Sequence, residues 1–188
     1  MLEGKVVNLR RVEKEDLPLV AEWFNDPGFL GEYEGLFQFS KSEFETMFAT
    51  ETGHESAEFF IEKKDGVKIG IVSHFYVLHV DPSISLLELG YFILPKERGK
   101  GYCTEAARMM VDYLFLSKQV MRIQATTSVE NLASQKVLEK VGFRREGTMR
   151  KSAYIRGEWK DDYLYSILRE EWKEPRILTK LNVQEKRQ

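Results

Sequence analysis

The residues best suited to chemistry lie around "ERGKGYCTEAARMM", Glu97 to Met110, where Gly99 and Gly101 flank Lys100 between an apolar run and a glycine-free, helix-like run. A strand-to-helix junction of this kind turns backbone N–H groups outward at the positive end of a helix, an arrangement that attracts an anion. Arg98 and Lys100 add charge beside it. The same glycines would also serve a plain turn. Upstream, Glu88 interrupts an otherwise apolar stretch from Leu86 to Leu94. A carboxylate there either meets solvent at an edge or faces a cleft, where it can take a proton. Further upstream, "GFLGEYEGLFQF" at positions 28–39 carries Glu32, Tyr33, Glu34 and Phe37. This is a loop whose acids attract a cation and whose rings stack on its body, or a connection whose aromatics fold back onto a core.

The spacing of the glycines narrows the anion. A Walker loop needs Gly-Lys-Ser/Thr, whereas Tyr102 follows Gly101. A dinucleotide fingerprint needs a third glycine where Thr104 stands. Arg-x-x-Gly-x-Gly/Ala fits from Arg98 through Gly101, with "ELGYFILP" before it, "NLASQKVLEKVGF" after the next strand and "LYSILREEW" near the end. In these motifs, their order and their spacing the chain resembles the GNAT acetyltransferase superfamily. Within it the chain is most similar to the RimJ/RimL branch, whose members acetylate ribosomal-protein N-termini, small amines or antibiotics.

The resemblance implies an α+β fold, the GNAT acyl-CoA N-acyltransferase fold, with acetyl-CoA as co-substrate and a primary amine as acceptor. It assigns Arg98, Gly99, Lys100, Gly101, Tyr102 and Cys103 to the pyrophosphate, the backbones of Phe92, Ile93 and Leu94 to the pantetheine arm, and Asn131 and Ser134 to the helix lining the cofactor. Glu88 is the expected base, and Ser134 the donor or orienter at the sulfur. Glu32, Tyr33, Glu34, Phe37 and Tyr154 are expected near the acceptor, with Asp161 and Asp162 as a second source of carboxylates. Two positions depart from the pattern. Leu138 stands where many members have an acidic tyrosine, which leaves Ser134, another tyrosine or solvent to meet the leaving thiolate. Cys103 replaces a small Gly or Ala; a thiolate would repel pyrophosphate, so a neutral thiol is expected there. A non-catalytic acyl-CoA-binding or regulatory module on the same fold is the competing reading.

Alternating elements must position these groups. "KVVNLRRV" predicts a strand, and Pro18 with Leu17, Val20, Ala21 and Phe24 a helix ended by "NDPG". Ser40 and Glu43 form a capping box opening a helix with Phe44, Met47 and Phe48. Asp65-Gly66 joins two strands as a hairpin, and "ISLLELGYFIL" follows "DPS" as a third. A helix over 102–116, a strand "RIQATTS", a helix over 132–140 and two closing strands complete a mixed, largely antiparallel sheet flanked by helices.

Length and composition set the bounds. The 188 residues, 43% hydrophobic and 31% charged, predict one domain over 1–172 with a tail over 173–188. A net charge of −2 carries no footprint for nucleic acid. One cysteine and three histidines offer neither an internal disulfide nor metal-ligand spacing, so no metal is expected. The opening residues lack a basic stretch followed by a long apolar one, and no run is long enough to span a bilayer, so a cytoplasmic protein without membrane contact is expected. An exposed C-terminal strand or tail would suit a homodimer.

Overall fold

The computed structural model describes residues 1–51, 56–77, 86–173 and 175, with side chains from 47 to 51 outside that description. Strands β1 (Leu2–Glu3), β2 (Val7–Arg11), β3 (Ala57–Lys63), β4 (Lys68–Val77), β5 (Leu86–Ile93), β6 (Arg122–Ser128), β7 (Arg144–Ile155) and β8 (Glu158–Leu168) form one sheet in the order β1-β2-β3-β4-β5-β6-β8-β7. Every neighbouring pair is antiparallel except β5 and β6, which run parallel because helix α4 (Tyr102–Ser117) carries the chain between them. The expected hairpin is present, with Gly66 at φ +83° in the turn between β3 and β4. The expectations for residues 78–85, for the side chains of Met47 and Phe48 and for most of the tail lie outside the described residues.

Strand alternation sends side chains to two cores. Leu9, Ile61, Leu87, Leu89 and Ile123 meet the apolar face of α4 and, from α5 (Leu132–Val141), Leu138 and Val141. On the other face Phe60, Ile71 and Phe92 meet α1 (Leu17–Phe24), α2 (Pro27–Leu30) and Phe44 of α3 (Lys41–Glu51). Leu138 is fully buried, so the position of the family's usual tyrosine is part of the core here.

Local signals explain the helix boundaries. Glu43 Oε2 accepts from Ser40 N at 2.8 Å while Glu43 N donates to Ser40 Oγ at 3.3 Å, the reciprocal bonds of a capping box. Helix α2 lies inside what the sequence suggested was loop. Asp26 opens it by accepting from Gly28 N, and the φ of +85° at Gly31 closes it. Its Phe29 is held by Trp23 at 5.0 Å and Phe92 at 5.9 Å between ring centroids. Buried aromatic contacts thus make the root of the 28–39 segment part of the fold rather than a free connection.

A clasp of charges binds the first elements together. Arg10 donates to both oxygens of Asp16 and to Glu62, and Lys68 Nζ reaches Asp16 Oδ1 at 2.9 Å. Phe60 lies under both cations, 5.2 Å from Arg10 Cζ and 4.7 Å from Lys68 Nζ.

Candidate active site

Strand β5 pairs with β6 only through Leu86, Leu87 and Glu88, although β5 runs on to Ile93 and β6 to Ser128. Past Glu88 and Gln124 the two strands part. The other edge of β5 stays paired to β4 as far as Ile93, and Leu94 N donates to Ile69 O. By antiparallel alternation Leu94, Phe92 and Gly90 turn their backbone groups to β4, whereas Leu89, Tyr91 and Ile93 turn theirs into the gap. Of the three backbones expected at the pantetheine arm, Ile93 alone therefore faces the opening. Phe92 lines the cavity that fills the gap, and Leu94 does not.

That cavity, about 970 Å³, reaches from the glycine loop to the 31–34 segment. At the loop, Gly99 and Gly101 have φ of +77° and +85°, which L side chains rarely adopt, and a Cβ at either would meet no atom within 4 Å. Among the described residues, no backbone N–H from Gly99 to Thr104 donates to a protein acceptor, while Glu105 N already bonds to Gly101 O. Open space over a run of unused N–H groups at a helix N-terminus is what a phosphate needs. The charges nearby are partly engaged. Lys100 Nζ donates to Glu97 at 2.9 Å and does not line the cavity, whereas Lys136 and Lys140 of α5 do. Arg98 lines it too, but its guanidinium donates to the carbonyls of Gly28, Phe29 and Ile93. Cys103 is half-buried beside the loop, and desolvation pushes its thiol up to about 12, so it is neutral as expected.

Alternation along β5 also divides the chemistry between the two faces of the sheet. Glu88 shares its face with Phe92 and the α1–α3 layer. Its carboxylate accepts from Gln124 Nε2 at 2.8 Å and Thr126 Oγ1 at 2.7 Å, both from β6. Tyr91 points the other way, toward α5. Its hydroxyl donates to Ser134 O at 3.2 Å and lies 2.9 Å from Ser134 Oγ, where either oxygen can be the donor. Burial holds the Tyr91 phenol well above its ordinary pKa, against the opposing effect of the Ser134 bond. Asn131 caps α5, its Oδ1 accepting from Ser134 N at 3.0 Å, which fixes Ser134 at the first turn. Tyr91, Gln124 and Thr126 were not singled out in the sequence. Tyr91 and Thr126 flank the gap, but only a known pairing of β5 with β6 would have brought them together.

The acceptor-side expectations divide. Glu32, Tyr33 and Glu34 line the cavity, joined by Glu130 and Asp162. Glu34 is pushed up to about 7, by burial first and then by the charge of Asp162. Asp162 is itself held by Ser152 Oγ at 2.8 Å. Phe37 and Tyr154 are outside the cavity. Phe37 stacks on Phe39 at 5.6 Å, and Tyr154, 60% exposed, leans on Trp159 at the end of the β7–β8 hairpin. Asp161 accepts from Lys151 N, away from the cavity lining. Among the described residues no group of His, Cys, Asp and Glu could hold a metal ion, and no helix is long and apolar enough to cross a membrane.

Comparison with known proteins places this geometry. Residues 7–144 match the model of the acetyltransferase (GNAT) domain. The chain is 32% identical over 183 residues to the probable N-acetyltransferase YjcK of Bacillus subtilis, covering 89% of this chain and 97% of that protein. It is 27% identical over 165 residues to spermidine N(1)-acetyltransferase of Escherichia coli K12, covering 82% of each. The spermidine N-acetyltransferase of Vibrio cholerae, solved with CoA and spermine, superposes with a TM-score of 0.77 at 23% identity, over 88% of this chain and 97% of that one. Relatives of the RimJ/RimL kind occur as well. The parted strands, the open glycine loop and these similarities lead to one conclusion: the chain belongs to the GNAT acetyltransferase family and is an acetyl-CoA-dependent N-acetyltransferase.

Proposed function

We propose that this enzyme acetylates a primary amine on a small molecule carrying more than one positive charge, such as a linear polyamine, by direct attack on the thioester. The observation that carries the reading is the set of carboxylates along the cavity, Glu32, Glu34, Glu88, Glu130 and Asp162, on residues that converge from the 31–34 segment, β5, the β6–α5 turn and β8. Clustered acids in a concave, partly desolvated site attract a polycation far more strongly than a single ammonium. A peptide N-terminus offers only one such charge near the reacting nitrogen.

The residues divide the reaction as follows. The carboxylates hold the distal ammonium groups and leave one nitrogen near Glu88. Glu88 accepts the proton from that nitrogen, directly or through one water, as the N–C bond forms and the C–S bond breaks. Gln124 and Thr126 orient it, since both donate to its oxygens. A backbone N–H on the gap-facing edge of β5 polarises the thioester carbonyl. On the opposite face, when Tyr91 turns its one proton from the Ser134 carbonyl to Ser134 Oγ, the serine hydroxyl is free to donate to the departing sulfur. A phenol held far above its ordinary pKa is a poor acid toward a thiolate, so the pair acts as a hydrogen-bond donor, and solvent supplies the thiol proton.

Release of free thiol from acetyl-CoA tests the reading, with spermidine, an aminoglycoside and short peptides as acceptors. Turnover with the polyamine, and a raised KM for it in Glu34→Gln and Asp162→Asn, is expected. Turnover with peptides alone would overturn the acceptor assignment, and coenzyme A binding without transfer to any amine would overturn catalysis by these residues.

A further inference from the structure

Arg98 belongs by sequence to the pyrophosphate loop, yet its guanidinium crosses to the other side of the site. Nη2 donates to Gly28 O at 3.2 Å and Phe29 O at 3.1 Å, and Nε reaches Ile93 O at 3.4 Å. The first two acceptors are carbonyls of α2, a four-residue helix whose C-terminal carbonyls have few intrahelical donors. Two residues past Phe29, Gly31 O accepts from Arg156 Nη2 at 2.7 Å. Arg156 sits at the β7–β8 turn with φ +49°, so a strained hairpin tip is aimed at the same short segment. Gly31 is followed at once by Glu32, Tyr33 and Glu34, which line the cavity. The guanidinium also lies alongside Gly31, where a Cβ would be in ordinary contact with it, 3.6 Å from Arg98 Nη2.

We infer that Arg98 is a positioning residue for the acceptor, coupling the cofactor loop to the 31–34 segment, and that Arg156 is its counterpart on the hairpin. The inference rests on the reading above that residues 31–34 face the acceptor. A phosphate bound on the N–H groups of Gly99 to Thr104 fixes the backbone that carries Arg98. The fork of Arg98 then fixes the carbonyls of Gly28 and Phe29, and through them the start of the acid-bearing segment. A guanidinium spans separate carbonyl acceptors because its donors are set in a rigid plane; an ammonium presents one compact charge and cannot reproduce the span. Phe29 against Phe92 gives a second, apolar link between α2 and β5, so the polar tie trims the placement of a segment that is already docked.

The experiment uses the full chain and needs no knowledge of the natural acceptor. Amide hydrogen exchange is measured with and without coenzyme A in wild type, Arg98→Met and Arg98→Lys, alongside coenzyme A affinity by calorimetry and KM for spermidine. In wild type, coenzyme A should slow exchange both at residues 98–104 and at residues 29–34. In both variants slowing at 98–104 should persist and that at 29–34 should vanish, with spermidine KM raised about tenfold and coenzyme A affinity within about threefold of wild type. Arg156→Met should raise the spermidine KM in the same way, and serves if the Arg98 variants do not fold. Two outcomes overturn the inference: Arg98→Met losing coenzyme A affinity tenfold with Arg98→Lys restoring it, or wild-type protection confined to 98–104. Failure of the wild type to bind coenzyme A would instead overturn the assignment of the cavity, so the two failures are distinguishable.

Discussion

Gly101→Ala, compared with Gly66→Ala, separates the backbone cost of a glycine from its function. Both residues adopt nearly the same conformation, φ +85° and +83°, and at neither would a Cβ meet an atom within 4 Å. Left-handed geometry costs an L residue roughly 1–2 kcal/mol. The alanine also restricts the unfolded chain, which returns about 0.4–1 kcal/mol. Each variant should therefore lose about 0.5–1.5 kcal/mol, or about 1–6 °C in Tm for a chain of this size. Their behaviour toward coenzyme A should differ sharply. Gly101 lines the cavity and Gly66 does not. A methyl over the loop keeps a phosphate away from the unused N–H groups, and losing two charge-assisted bonds of about 1.5 kcal/mol each costs about 3 kcal/mol. That is about 150-fold in affinity. Differential scanning fluorimetry gives the stability comparison and calorimetry the affinity. If Gly101→Ala bound coenzyme A within threefold of wild type while melting like Gly66→Ala, the loop would not be the phosphate cradle.

Other expectations follow from single residues. Glu88→Gln should lower kcat by about 10²-fold or more with coenzyme A affinity unchanged, read from steady-state kinetics beside calorimetry. Glu34, raised to about 7, is largely neutral below that pH and charged above it, so KM for spermidine should fall as pH rises from 6 to 8, and Glu34→Gln should flatten the profile. Asp16 is held far below the usual carboxylate range, chiefly by its bonds from Arg10. Its stabilising contribution is present above its unfolded pKa of about 4 and is lost as pH falls below that, so Asp16→Asn should cost about 1–3 kcal/mol at pH 7 and make the acid limb of a Tm–pH curve shallower. His74 is buried with its pKa lowered to about 4, mainly by desolvation; protonation therefore opposes folding below about pH 6.5, and His74→Gln should remove that part of the acid sensitivity.

What could be read in the sequence was what depends on neighbours along the chain. The Asp65-Gly66 turn, the Ser40–Glu43 capping box and the glycine loop are each decided within a few residues, and each occurs where expected. The helix α2 escaped because its signal, Asp26-Pro27, was read as the end of α1 rather than as the start of a new turn. The tasks of Arg98 and Tyr91 escaped for another reason. Their partners lie 70 and 43 positions away, and only the sheet order brings them together. Charge alone pointed Arg98 at the pyrophosphate; carbonyls left over at the end of a short helix claimed its donors. Residue type points Phe37 and Tyr154 at the acceptor; in the fold Phe37 stacks on Phe39, Tyr154 packs tilted against Trp159, and neither lines the cavity.

The parting of β5 from β6 also bears on how the protein survives without its ligand. A sheet that stops pairing in its middle has two inner edges whose peptide groups lack a neighbouring strand, and such edges ordinarily invite another chain to dock. Here the opening is shut at one end by the pairing of Glu88 with Gln124, so whatever enters must come from the other. On the proposed reading, an extended ligand laid along β5 would act as the missing strand, and its binding would be the last step of building the sheet. The Tm should then climb with the logarithm of coenzyme A concentration, because the ligand completes the native state and has no counterpart site in the unfolded chain. The acetyl donor would then serve twice, as reactant and as a stabiliser of the fold that uses it.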